Sequence, residues 1–405
     1  MKFNKWTLGL AAIGAVSLTS VAQAEEKVNA LQTALSSTTI SGYIDTSMQW
    51  NLGSGNENLP GYSFGGPSKA DGFNLNVVQL SISKPLDESE WASGYRADLW
   101  FGQDANALAT GSSTSGDVGF ENSDFAIRQA YVALRTPVGN GIDLKVGVMD
   151  SILGYETLES GKNPNMTRSY GFSIEPTTLT GLLASYRFCD FASATFGIAN
   201  TVGPTINGRA NTPDTTPTKA ESFKAYTGNV ALTAPSNWGW LAGSTLYSGF
   251  LTGFDSNANT TPTSGSQVRN NYYLGATVST PVAGLKAGVS LDYGHIQHGN
   301  TVAGVDVTPS NSQVNNQYAY ALYLSYQATE KMSLHGRAEM YRTQVVGGGY
   351  NNQVYALTGT VQYDLWQNVL SRLEIRWDHT EAEQYGPAGD LKNEVMIAAN
   401  LIYTF

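Results

Sequence analysis

Residues 394–405 read Glu394-Val395-Met396-Ile397-Ala398-Ala399-Asn400-Leu401-Ile402-Tyr403-Thr404-Phe405. Val395, Ile397, Ala399, Leu401, Tyr403 and Phe405 fall on one face of an extended chain; Glu394, Met396, Ala398, Asn400 and Thr404 fall on the other. Side chains alternate across a strand with period two, so this is a strand with one greasy face and one mixed face. The same alternation runs back through the chain. Over 370–378, Leu373, Ile375 and Trp377 oppose Arg372, Glu374, Arg376 and Asp378. Over 331–341, Met332, Leu334, Ala338 and Met340 oppose His335, Arg337 and Glu339. Over 284–293, Leu285, Ala287, Val289, Leu291 and Tyr293 oppose Lys286, Ser290 and Asp292.

Sixteen such runs can be marked, at 39–50, 73–84, 91–102, 124–136, 141–151, 178–188, 191–200, 222–234, 241–254, 270–281, 284–296, 316–328, 331–343, 350–364, 370–381 and 392–405. They are much longer than the soluble norm of about 5–6 residues. They match the roughly 9–11 residues with which a tilted strand crosses hydrocarbon. The gaps alternate too. Six long ones (51–72, 103–123, 152–177, 201–221, 255–269, 297–315), followed by 344–349 and 382–391, interleave with short ones such as 137–140, 189–190 and 282–283. Long connections on one side and short turns on the other predict an all-β fold, a closed antiparallel transmembrane β-barrel of about 16 strands with extracellular loops and periplasmic turns. Closure is required because a lipid-facing sheet edge would leave its backbone groups unpaired. An even strand count puts both ends of the sheet on the short-turn side.

Composition agrees. Charged residues are 14% of 405, and 22 Tyr, 14 Phe and 8 Trp are too much apolar matter for a disordered acidic chain. Beyond the N-terminus no apolar run is long enough for a membrane-spanning helix. A formal charge of −10 argues against nucleic acid as a partner. Trp50, Tyr95, Tyr186, Tyr226, Trp238, Trp240, Tyr247, Tyr363, Trp366 and Tyr403 stand near strand ends, where interfacial girdles against outer-membrane lipid are expected.

Residues 1–24 read as a signal peptide: Lys2 and Lys5, an apolar stretch from Trp6 to Val16, and Ala22-Gln23-Ala24 before Glu25. Its removal takes the formal charge from −10 to −12. Residues 25–38 then form a short periplasmic segment, in which Val28, Leu31 and Leu35 sketch a weak helical stripe beside an equally good linker reading. The lone Cys189 allows no intramolecular disulfide and reads as a turn residue.

The terminal Leu401-Ile402-Tyr403-Thr404-Phe405, with apolar residues two and four places before the final aromatic, resembles the assembly signal of Gram-negative outer-membrane porins. Ser41-Gly42-Tyr43-Ile44-Asp45, Leu153-Gly154-Tyr155-Glu156, the stretch from Asn163 to Tyr170, and Glu175-Pro176 leading into Thr180-Gly181-Leu182-Leu183-Ala184 resemble, more narrowly, the OmpL-like β-barrel porin family. The likeness covers residues 39–405. It implies a passive channel for small hydrophilic solutes and ions, recognition of Leu401, Tyr403 and Phe405 by the barrel-assembly machinery, and a homotrimer. No cofactor is implied. A sugar- or peptide-specific channel is the nearer rival reading, and a barrel-anchored surface-binding protein the more distant one.

In such barrels the third long connection folds inward, which makes loop 152–177 the candidate constriction. It carries Glu156, Glu159 and Glu175 with Lys162 and Arg168. Arg337 lies near the opposite wall, Arg372 and Arg376 on strand fifteen, and Arg96 on strand three. Acids on the loop facing wall arginines would set a transverse field across the opening. The competing expectation is that the loop caps the outside and the arginines pair with Glu339, Glu374 and Asp378. Arg128 sits on a strand whose pattern does not settle its face. Net charge leaves a mild cation preference open.

Four histidines, His295, His298, His335 and His379, offer little chemistry. His335 stands near Arg337 without a local nucleophile signature, and His295-x-x-His298 lacks a third ligand at metal-site spacing. Asn165-Met166-Thr167 and Asn259-Thr260-Thr261 match glycosylation sequons and read only as polar loop. The expectation is no enzyme and no metal.

Overall fold

The computed structural model describes residues 31–32, 37–53, 55–108, 110, 123–210, 223–255, 268–297, 314–345 and 350–405. The barrel strands are β1 (Thr39–Leu52), β2 (Gly72–Lys84), β3 (Ser93–Phe101), β4 (Phe125–Thr136), β5 (Ile142–Asp150), β6 (Thr178–Arg187), β7 (Ala192–Ala199) and β8 (Ala225–Thr233). They continue as β9 (Thr245–Phe254), β10 (Val268–Ser279), β11 (Leu285–Gln297), β12 (Val314–Gln327), β13 (Met332–Val345), β14 (Tyr350–Trp366), β15 (Val369–Thr380) and β16 (Asn393–Thr404). Each pairs antiparallel with its neighbours in sequence. The terminal strand closes the ring on β1, from Val395 opposite Leu52 to Thr404 opposite Tyr43. Phe405 and Gly42 add a reciprocal pair of backbone hydrogen bonds of 2.9 Å at the seam. Two short helices, α1 (Gln103–Leu108) and α2 (Tyr170–Ile174), stand in the long connections.

The barrel is inside-out relative to a soluble protein. On β15, Leu373 and Ile375 are 57% and 54% exposed, while Arg372, Glu374, Arg376 and Asp378 are buried. The apolar face of the alternation therefore points outward to lipid, and the polar face inward, where loops cover it. The opening stretch obeys this: Leu401 and Tyr403 are exposed, and Glu394, Met396, Ala398, Asn400 and Ile402 are buried.

Several expectations need correction. Strand-like pattern at 241–254 begins only at Thr245, because Gly239–Leu241 forms a 3-10 turn that carries Trp240, with Trp238 just before it. Tyr247 is buried in an inward cluster with Leu251 and Tyr273, so it belongs to no lipid girdle. Leu31 and Gln32 pair as a two-residue strand with Ile40 and Thr39, which removes the helical reading there. The signal peptide, most of segment 25–38, the Asn259 sequon and His298 lie outside the described residues. Cys189 is exposed in the turn between β6 and β7.

Candidate functional site

The connection between β5 and β6 lies against the inward faces of distant strands. Its first stretch is held by shape. Small inward residues on β8 to β12 (Ala225, Ala231, Gly249, Gly288, Ala321) leave a shallow bay that Leu153 and Tyr155 fill. A Cβ built on Gly249 would lie 2.4 Å from Leu153 Cδ2, and one on Gly288 would lie 1.9 Å from the Tyr155 hydroxyl. Glycine inside a strand marks such a close approach. Tyr155 stacks on Tyr323 with ring centroids 4.0 Å apart, and Asn229 donates to the Ile152 carbonyl at 3.0 Å. Burying each of the two side chains is worth about 1.5–3 kcal/mol.

The second stretch is held by charge. Loop backbone inside a barrel has no sheet partners of its own, so its amides and carbonyls must find others. Here wall carboxylates take the amides. Glu374 accepts from Met166 N at 2.6 Å, Thr167 N at 3.0 Å and Thr167 Oγ1 at 2.6 Å. Glu339 accepts from Tyr170 N at 2.8 Å. Wall guanidiniums take the carbonyls. Arg372 donates to Ser160 O, Asn163 O and Asn165 O at 3.0, 3.1 and 3.1 Å; Arg337 donates to Thr167 O at 2.6 Å, and Arg376 to Arg168 O at 2.7 Å. Charge-assisted bonds of this kind are roughly twice as strong as neutral ones.

The sequence-selected residues divide into separate groups. Glu156 meets Arg337 at 2.8 Å, and Arg337 also holds Glu339 at 2.7 Å. Glu159, three residues on, turns to the other wall: it pairs with Arg128 at 2.8 Å, with Lys162 at 2.7 Å, and with Arg96 at 3.7 Å. Burial opposes ionisation of Glu159, but Arg128 and Lys162 outweigh it and hold the carboxyl well below the usual range. Arg376 pairs with Asp378 at 2.8 Å and stacks over Tyr62 at 3.9 Å. Arg168 and Arg372 have no carboxylate within ion-pair distance among the described residues. Arg168 donates to Leu158 O at 2.7 Å and lies over both the Phe64 and Phe172 rings, 5.6 and 5.3 Å from their centroids.

Glu175 likewise meets no cation within ion-pair distance among the described residues. It shares a hydrogen bond with Asp292 of β11, and burial together with that neighbour pushes its carboxyl well above the usual range. The expectation of acids facing arginines across an open gap is therefore corrected. Glu156 and Arg337 are in contact and buried, so their fields largely cancel at a distance, and Glu175 faces Asp292 rather than a wall arginine.

Arg128 escaped the sequence reading for a definite reason. A bulge lets Asp98 pair with Gln129 and Leu99 with Ile127, leaving Arg128 as the extra residue, so both Arg128 and Gln129 turn inward. Period-two reading fails at a bulge. Tyr62, Ser63 and Phe64 of the first long loop were also missed, and they pack on α2 and Arg376 with no local pattern to announce it. Gly249 and Gly288 were legible in principle as glycines on the inward face.

With the loop seated, charge stays accessible beside it on the β3–β5 wall. Lys162 and Arg96 side chains are 52% and 32% exposed, and Asp150 29%. Lys145 is half-buried over the Tyr131 ring at 4.9 Å.

A sequence model of the beta-barrel porin-2 family, OmpL-like, matches residues 37–405. The chain belongs to this family. It is an outer-membrane porin. No curated protein matches its sequence. Among solved structures, the porin resembles the anion-selective porin from Comamonas acidovorans at 12% identity and TM-score 0.58, covering 91% of this chain and 99% of that one. It resembles the outer membrane channel DcaP of Acinetobacter baumannii at 12% identity and TM-score 0.58, covering 93% and 99%. It resembles the trimer form of OmpT, an outer membrane protein of Vibrio cholerae, at 10% identity and TM-score 0.56, covering 91% and 99%. At these identities the likeness speaks for the barrel alone.

Proposed function

We propose that the porin is a passive, non-enzymatic diffusion channel for small hydrophilic solutes and ions, narrowed by the connection between β5 and β6. The observation that carries this reading is the double anchoring of that loop, by glycine-made space on one wall and by charge on the other. Solutes then pass the side of the loop where Arg96, Lys145, Lys162 and Asp150 stay accessible. With their ion-pair partners counted, the four cations Arg96, Arg128, Lys145 and Lys162 stand against the three acids Asp98, Asp150 and Glu159, and this single net positive charge favours anions there, in spite of the negative overall charge, because only charge at the narrowest point filters. The likeness to a porin described as anion-selective agrees with this without carrying it.

Residues 1–24 would be removed on export, and Leu401, Tyr403 and Phe405 would be read by the assembly machinery. The outward aromatic and aliphatic face would meet outer-membrane lipid. The trimer form of one structural relative supports a homotrimer. Reversal potentials of single channels in a salt gradient test the reading: the sign for anions is expected, and a cation-selective result overturns the assignment of the passage. A deletion of 156–170 that leaves conductance unchanged would remove the loop from the constriction.

A further inference from the structure

On the β3–β5 wall beside the seated loop, three of the four cations are matched by acids. Arg96 holds Asp98 at 2.8 Å, Arg128 holds Asp150 through Nη2 and, at 3.1 Å, through Nε, and Lys162 holds Glu159 at 2.7 Å. Glu159 and Asp98 are shared further with Arg128, at 2.8 and 3.9 Å. The fourth cation is Lys145, on the inward face of β5. Its ammonium has only the Tyr131 ring, 4.9 Å from its centroid, as a partner among the described residues.

The position on the strand explains why no acid reaches it. Directly opposite Lys145 stand Ala133 on β4 and Leu183 on β6, neither of which carries an acceptor. On its own face of β5, the next residue toward the loop is Gly147 and the next toward the periplasm is Asp143. That carboxylate is taken by Arg135 at 2.6 and 2.8 Å. Lys145 is only half-buried, so its ammonium stays open to the lumen while its stem lies along the wall. Opposite charges in contact largely cancel beyond their own separation, so a passing ion feels each ion pair weakly. A lone ammonium acts on it with its whole charge. The single net positive charge of the passage thus sits at one address.

We propose that Lys145 is the selectivity-determining residue of the porin, the ammonium that draws small anions into the passage and repels small cations. The proposal rests on the reading of the β3–β5 side as the passage. Lys286 supplies a comparison of equal charge. It stands on the inward face of β11, two residues from the Gly288 that Tyr155 of the loop abuts, and so on the wall that the loop covers.

Reversal potentials of the folded porin in planar bilayers, under a gradient of potassium chloride, test this. Lys145→Gln is expected to lower the chloride-to-potassium permeability ratio at least about threefold and Lys145→Glu about tenfold, the effect of a unit charge on an ion several ångströms away in water. Lys145→Arg keeps the charge and should keep the ratio. Lys286→Gln removes the same charge from the covered wall and should shift the ratio by only a small fraction of the Lys145→Gln shift. Heat-modifiable migration shows that each variant is a closed barrel. An unchanged ratio in Lys145→Gln, a fall in Lys145→Arg as large as in Lys145→Gln, or an equal shift in Lys286→Gln overturns the proposal. The sign of the native potential reports separately on the channel reading: a cation-selective native porin refutes that reading, whereas Lys145 is judged by the shift alone.

Discussion

Glu374 holds the charged half of the constriction loop, and its replacement by glutamine gives a quantitative test. The carboxylate takes Met166 N and Thr360 Oγ1 on Oε2, and Thr167 N and Thr167 Oγ1 on Oε1. Glutamine keeps one oxygen and replaces the other by an NH2 group, which faces donors. At least one buried loop amide loses its acceptor, and the surviving bonds lose their charge. Charged hydrogen bonds contribute about 1.5–3 kcal/mol each, so losing one and weakening another costs about 2–4 kcal/mol of loop docking. At about 1.4 kcal/mol per decade this opens the loop about 30- to 1,000-fold more often. Hydrogen exchange of the folded protein, read on peptides spanning 163–170, should show that increase for Glu374→Gln, while β11 amides keep their rates. Unchanged exchange at Met166 and Thr167 would refute the view that this carboxylate holds the loop.

Docking should also depend on pH through Glu175, whose carboxyl burial and Asp292 hold well above the usual range. A raised acid is protonated when docked and ionised when free, so docking is complete below the ordinary carboxylate pKa and weakens as pH rises through the docked value. Protection of amides over 171–176, taken relative to the intrinsic base-catalysed exchange rate, should fall on alkalinisation in the native chain and stay flat in Glu175→Gln; protection that rises with pH contradicts this. Glu159 works in the opposite sense: its depressed carboxyl stabilises the loop above the ordinary range and loses that contribution on acidification, which Glu159→Gln should abolish. Gly288→Leu drives a side chain into the Tyr155 hydroxyl. Overpacking of about 1–3 kcal/mol should free Leu153 and Tyr155 to exchange, and a native exchange pattern would dismiss the bay. Deleting Phe405 removes both seam bonds to Gly42, so heat-modifiable barrel should accumulate more slowly in pulse-chase, and unaltered kinetics would acquit the residue.

The sequence by itself determined the barrel. Alternation such as that of 394–405 needs only the period of an extended chain, and the ordering of long and short gaps needs only counting. Which of Arg337, Arg372 and Arg376 share a face followed from the same period. What it could not determine was contact. Glu156 and Glu159 are three residues apart and read as one acidic bank, yet one meets β13 and the other meets β3 and β4. Arg128 turned inward through a bulge that depends on its neighbour strand, and Glu175 met Asp292, 117 positions away. Alternation is a local property, fixed by backbone geometry residue by residue. The pairing of charges across a lumen is set by the closed ring and by the loop lying inside it, and only the tertiary structure brings those residues to one place.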